Sequence, residues 1–141
     1  MASDSRGTLA SNIPYHCEKL YRIRGRLVGV CGEDKGTLAY VEFFTKGGKP
    51  DDWEFSDASA LVLCPKRGIL HYDASGRPDP VKESFFAIGS GAQVALGAME
   101  HGATAAEAVA AACRWNTECG LPVVSMHIGT RNVRRRKETG R

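Results

Sequence analysis

No stretch of this 141-residue chain approaches the ~20 consecutive apolar residues that a bilayer-crossing helix needs, and its first residues lack the basic, apolar and small-residue zones of a signal peptide. Those two absences predict a cytoplasmic protein with no membrane partner. Cysteine occurs five times, at Cys17, Cys31, Cys64, Cys113 and Cys119, but never as a Cys-x-x-Cys pair. An odd number at these spacings argues against a disulfide framework and against a zinc site, and predicts reduced, mostly buried thiols. His16, His71, His101 and His127 are isolated from one another, and although His16 stands beside Cys17, no second pair at ligand spacing accompanies them. No metal and no cofactor is therefore expected.

What is present fits one globular domain: 43% of residues are hydrophobic and 25% charged, in a chain long enough to bury a sizeable core. The net charge of +3 is an uneven average. Residues 129–141 hold Arg131, Arg134, Arg135, Arg136, Lys137 and Arg141 against Glu138 alone, a charge of +5, which leaves the rest at −2. This basic tail has no interleaved aromatics, so it reads as a solvated, disordered terminus rather than as a nucleic-acid site. The domain is expected to span 1–128.

Along the chain, Lys19 to Arg24 alternates apolar and polar residues, and Arg26 to Cys31 follows the turn residue Gly25, which predicts a β-hairpin. Asp34 is placed to cap a helix running to about Thr45, ended by Gly47-Gly48-Lys49-Pro50. Ala58–Cys64 and Gly68–Tyr72 form a second predicted hairpin. Asp73 to Pro80 reads as a loop, and the apolar run Phe85 to Ile88 as a short buried strand. Helices follow over about Gln93–His101 and Ala105–Asn116, broken at Gly102, with Thr104 and Glu107 at capping-box spacing, and Val123–Ile128 gives a last strand. Two strand groups with helices set after them predict an α+β protein.

The block Phe85-Phe86-Ala87-Ile88-Gly89-Ser90-Gly91-Ala92 leads directly into two alanine-rich helices that end in Trp115-Asn116-Thr117-Glu118-Cys119-Gly120. It resembles the proteasome-type N-terminal nucleophile (Ntn) hydrolases, threonine peptidases that include the bacterial two-tier proteasome-like peptidase. The likeness extends over nearly all of 1–128. Asp4, in Met1-Ala-Ser-Asp4-Ser-Arg6-Gly-Thr8, is similar to the family's carboxylate, Lys19 in Glu18-Lys19-Leu20 to its catalytic lysine, and Gly29-Val30-Cys31-Gly32 to its oxyanion turn. The resemblance implies a compact αββα four-layer sandwich that hydrolyses peptide or protein substrates. It also implies self-association into rings and, as a further partner, an ATP-dependent unfoldase.

The chemistry accounts for those residue types. A hydroxyl is a poor nucleophile at neutral pH and needs a base, and the oxyanion that develops needs a preplaced donor. In the family the nucleophile's own α-amine is the base. Lys19 would favour the ionised hydroxyl and Asp4 would hold Lys19 charged and oriented. Ser90 would join the hydrogen bonds around the amine, the Gly32 N–H would face the oxyanion, and the backbone at Thr8 would pair with an extended substrate. Asn116 stands where the family has an aspartate. The family also has roughly a dozen residues, one strand's worth, ahead of the Asp4 position, beginning with the nucleophile. Here Met1 lies just before Asp4. The expectation is thus a fold without its first strand and nucleophile, inactive as written, with either a coding start further upstream or a non-catalytic scaffold subunit as the explanation. A dinucleotide loop is the competing reading of Gly89-Ser90-Gly91, but Val94 occupies the third small position and no acidic residue follows at the required distance.

Overall fold

A computed structural model describes residues 1–9, 13–48 and 53–128. The basic tail at 129–141 lies outside the described residues. Nine strands and three helices are described: β1 (Ala2–Ser3), β2 (Arg6–Leu9), β3 (Ile13–His16), β4 (Leu20–Ile23), β5 (Arg26–Cys31), α1 (Asp34–Thr45), β6 (Ser59–Cys64), β7 (Gly68–Tyr72), β8 (Pro78–Pro80), α2 (Ala92–Glu100), α3 (Ala105–Trp115) and β9 (Val124–Ser125). Strands β4 to β8 form an antiparallel sheet in chain order, while β1 pairs with β9 and β2 with β3. None of the described helices is long and apolar enough to cross a membrane.

Both predicted hairpins form. Arg24 and Gly25 connect β4 to β5, each with positive φ (50° and 74°), the geometry of a two-residue turn whose twist matches that of its strands. The α1 helix covers one face of the sheet. Tyr40, Phe43 and Phe44, at the i, i+3, i+4 spacing of one helical face, are buried against Val28, Val30, Ala60, Val62, Leu70 and Tyr72, the alternate residues of β5, β6 and β7. Phe55 completes this core by stacking on Tyr40 at 3.9 Å between ring centroids. Each such side chain contributes about 1.5–3 kcal/mol through burial. The α3 helix begins with the expected capping box, in which Thr104 Oγ1 accepts from the Glu107 N–H and the Glu107 carboxylate accepts from the Thr104 N–H.

Five local expectations are corrected. Asp34 lies in the first turn of α1 and the cap position is Glu33, because the Asp34 carboxylate instead accepts the Tyr15 hydroxyl at 2.8 Å. That bond pushes the Tyr15 phenol up to about 12. The segment from Asp73 to Pro80 contains β8, which occupies the outer edge of β7. Phe85 to Ile88 is irregular rather than a strand, since the run has no strand to pair with; Phe86 packs its ring near His71 of β7, centroids 5.6 Å apart. The thiols are free as expected but half-buried rather than buried. The final strand is short, two residues paired with β1.

Gly36 shows how closely α1 approaches the segment behind it: a Cβ there would meet the Phe55 carbonyl and lie 2.6 Å from the Ala58 Cβ. Glycine to alanine inside a helix ordinarily stabilises by about 1 kcal/mol. Gly36→Ala should do the reverse, lowering the urea midpoint by an amount equivalent to roughly 1–3 kcal/mol; a midpoint that rises would disprove the close approach.

Candidate active site

Asp4 follows β1 and Lys19 precedes β4, and the structure joins them: Lys19 Nζ lies 2.8 Å from Asp4 Oδ1. Both side chains are largely shielded, at 22% and 12% exposure, so the pair is screened less than a surface ion pair. The second carboxylate oxygen, Oδ2, accepts the Gly120 N–H at 2.9 Å and the Arg6 N–H at 3.2 Å. The Lys19 carbonyl accepts the Val30 N–H, which fixes the lysine's main chain against β5. Three donors thus converge on one carboxylate, two of them, Lys19 and Gly120, from elsewhere in the chain.

Ser5 reinforces this junction. It is the one buried polar residue among those described, 2% exposed; its N–H donates to the Gly120 carbonyl and its hydroxyl to the Pro122 carbonyl at 2.7 Å, while its own carbonyl accepts the Cys17 N–H. The Asp4–Arg6 segment is thereby fixed to the turn that follows α3.

The Gly89-Ser90-Gly91 turn sits between the end of β5 and the end of α3. A Cβ at Gly89, whose φ is +95°, would lie 3.6 Å from the Cys31 Cβ, and one at Gly91 would come within 2.8 Å of Cys119 Sγ and 2.9 Å of the Ala112 Cβ. Ser90 presents its hydroxyl 4.0 Å from Cys119 Sγ. Its carbonyl accepts the Asn116 side-chain amide at 2.9 Å, and the Asn116 side-chain oxygen accepts the Glu118 N–H at 2.8 Å. Asn116 therefore has both ends of its side chain engaged with main chain. Gly32, with φ +116°, directly follows Cys31; a Cβ there would be 2.6 Å from the Ala58 Cα, so only glycine fits the turn.

Four of the six sequence-derived residues fall into two contacting pairs, Asp4 with Lys19 and Ser90 with Asn116, and Gly32 and Thr8 belong to neither. Cys31 and Cys119 lie close to these pairs. Burial pushes both thiols up; the Lys19 charge opposes this at each, and the Asp4 charge adds to it at Cys119. Thr8 is exposed on β2, where it pairs with Pro14 across the hairpin. Sequence reasoning missed Ser5, Cys31, Cys119 and the Gly120 N–H. Ser5 adjoins Asp4 in the quoted motif, but its partners lie more than a hundred residues away, so no local pattern marks it.

The fold is that of proteasome-like structures, and the resemblance drawn from the sequence extends to solved proteins. The Thiobacillus denitrificans protein BPH superposes with a TM-score of 0.72 at 24% identity, covering 92% of this chain and 92% of its own. Eukaryotic HslV from Trypanosoma brucei matches at a TM-score of 0.67 and 20% identity, over 87% of this chain and 88% of that one. Anbu from Hyphomicrobium sp. strain MC1 matches at 0.63 and 12%, over 86% and 73%. Neither a protein-family model nor a curated protein sequence matches.

Asp4→Asn would remove the charge paired with Lys19 and turn an amide N–H toward one of the three donors. We expect a loss of about 2–4 kcal/mol in urea unfolding with an unchanged slope; a loss below that range would mean the junction is not holding the segments. The thiols give an independent check. The thiolate is the reactive form, so a raised thiol reacts slowly at a given pH. Cys64 is the contrary case, its thiol held below the usual range by the Lys66 main-chain N–H. Iodoacetamide at pH 8 should modify Cys64 well before Cys31, as read by peptide mass mapping, and equal rates would contradict the burial of Cys31.

Proposed function

We propose that this chain carries the activating residues of a proteasome-type amide-bond hydrolase centre, Lys19 and Asp4. The observation that carries this reading is the 2.8 Å Lys19–Asp4 pair, positioned by main-chain donors and set in a proteasome-like fold. An ammonium so held favours ionisation of a neighbouring hydroxyl, and the carboxylate holds that ammonium in place. The Gly32 N–H takes the oxyanion role, Ser90 joins the hydrogen bonds around the nucleophile's amine, and the β2 backbone at Thr8 receives an extended peptide. Asn116 acts as a positioning residue, tying Ser90 to the end of α3.

The layers support an αββα sandwich made of α1, the five-stranded sheet, a second strand layer including β1 and β9, and the α2–α3 pair. The substrate is a peptide or protein, the assembly a ring of identical subunits in the cytoplasm, and an ATP-dependent unfoldase the partner that would deliver substrate. One observation favours the alternative, a non-catalytic scaffold subunit: Asn116 places a neutral amide where the family has a charge, and both ends of that amide serve the local backbone.

Adding a family-like strand that begins with threonine ahead of Met1 separates the two readings. The rebuilt chain should hydrolyse fluorogenic peptides, and Lys19→Ala in that background should lower kcat about 100-fold or more with the fold intact. Full activity in Lys19→Ala would overturn the assignment of the lysine. A folded rebuilt chain without turnover would favour the scaffold.

A further inference from the structure

A cleft of about 300 Å3 lies between the β2–β3 hairpin and the turn at Gly120 and Leu121, with Ser5 and Arg6 in its wall. Arg6 and His16, both lining it, are direct partners across the hairpin. Directly opposed residues project from the same face with Cβ atoms about 4.5–5.5 Å apart, where like charges destabilise one another. The aliphatic part of Arg6 packs on Gly120, where an added Cβ would be 2.8 Å from the Arg6 Cβ and 3.0 Å from its Cδ. The Arg6 Nε is buried and has no hydrogen-bond partner among the described residues.

The Asp4 and Asp34 carboxylates are engaged elsewhere. The Asp4 carboxylate receives Lys19, the Gly120 N–H and the main-chain N–H of Arg6, and the Asp34 carboxylate receives the Tyr15 hydroxyl. Among the described residues the ion pairs are Lys19–Asp4 and Lys46–Glu42, and Arg6 has no part in either. A desolvated guanidinium N–H with no acceptor is costly, and the planar guanidinium fork matches a carboxylate in two-point geometry. Pro14 and the largely exposed Leu121 add an apolar rim suited to an aliphatic stem.

We propose that this cleft is a carboxylate-binding subsite for an acidic peptide, with Arg6 as its ion-pairing residue and His16 beside it. The proposal takes the peptide nature of the occupant from the peptidase reading and adds its charge. Because the Arg6 main-chain N–H bonds Asp4, the subsite is one residue removed from the Lys19–Asp4 pair. The carboxylate can come from a glutamate side chain or from a peptide's free C-terminus.

The test is peptide titration of the full ¹⁵N-labelled chain by NMR, following the Arg6 Nε–Hε resonance. Three probes at millimolar concentration separate the sources: an N-acetylated, C-amidated pentapeptide with a central glutamate, the same peptide with glutamine, and the glutamine peptide with a free C-terminal carboxylate. At least one carboxylate-bearing peptide should shift the Arg6 resonance saturably and bind about tenfold or more tightly than the neutral one. Which of the two binds better identifies the source. Arg6→Gln should reduce that affinity to the level of the neutral peptide, with Arg6→Lys intermediate. Equal binding of neutral and acidic peptides, no shift at Arg6 with any probe, or unchanged affinity in folded Arg6→Gln overturns the proposal. Should Arg6→Gln not fold, the resonance and the glutamate-to-glutamine contrast on the unsubstituted chain decide. Binding is measured without turnover, so a failure here leaves the peptidase reading standing, and a failure of turnover leaves this result intact.

Discussion

The Asp4 carboxylate is where the separate parts of this molecule meet. Its two oxygens take donors from Lys19, from Arg6 and from Gly120, a residue 116 positions further along the chain. A half-buried carboxylate with fewer partners would be expensive to desolvate, and a lysine of equal burial without its carboxylate would be worse. The pair is therefore stable only if β1, the start of β2, the start of β4 and the turn after α3 all arrive together. Ser5 adds three hydrogen bonds to the same junction, two of them to residues 120 and 122. The position of the lysine ammonium is in this sense a property of the whole fold rather than of a local motif.

The Gly89-Ser90-Gly91 turn obeys a different constraint, that of space. Gly91 faces Cys119 and Ala112 at distances that no side chain could share, and Gly89 adopts a φ that disfavours other residues. Close packing on both sides leaves Ser90 as the turn's only side chain, and the Asn116 amide then fixes its carbonyl. Electrostatics sets the lysine and packing sets the serine. The thiols of Cys31 and Cys119 lie close to these two systems, and partial burial pushes both of them up.

Much of this was legible in the sequence wherever the determinant was local. The β4–β5 hairpin announced itself through alternation around Gly25, and α3 through Thr104 and Glu107 at capping-box spacing. The Phe85–Ile88 run was misread because a short apolar stretch reports burial without reporting a partner, and the available edge of β7 had been taken by Pro78–Pro80. That edge strand was hidden by its own prolines, which read as loop. In the site, Lys19 and Asp4 were legible only through motif order in a resembling family; their contact spans two strands and a loop. Ser5 and Arg6 were invisible as functional residues because what distinguishes them, a buried hydroxyl and an unpartnered guanidinium nitrogen, exists only once the turn at Gly120 has folded back onto them.

The two cations near this junction have opposite fates, and the contrast bears on function. An ion pair buried at a segment junction is a poor way to gain stability, since apolar residues of similar volume serve as well or better. Lys19 paired with Asp4 is thus more informative about chemistry than about folding, whereas the Ser90–Asn116 bridge could serve a scaffold equally well. Arg6 differs: its main-chain N–H bonds Asp4, while its side chain lines a cleft and its Nε has no hydrogen-bond partner among the described residues. What the Lys19–Asp4 pair indicates about chemistry therefore does not depend on Arg6, whose cleft bears only on what a bound peptide would carry.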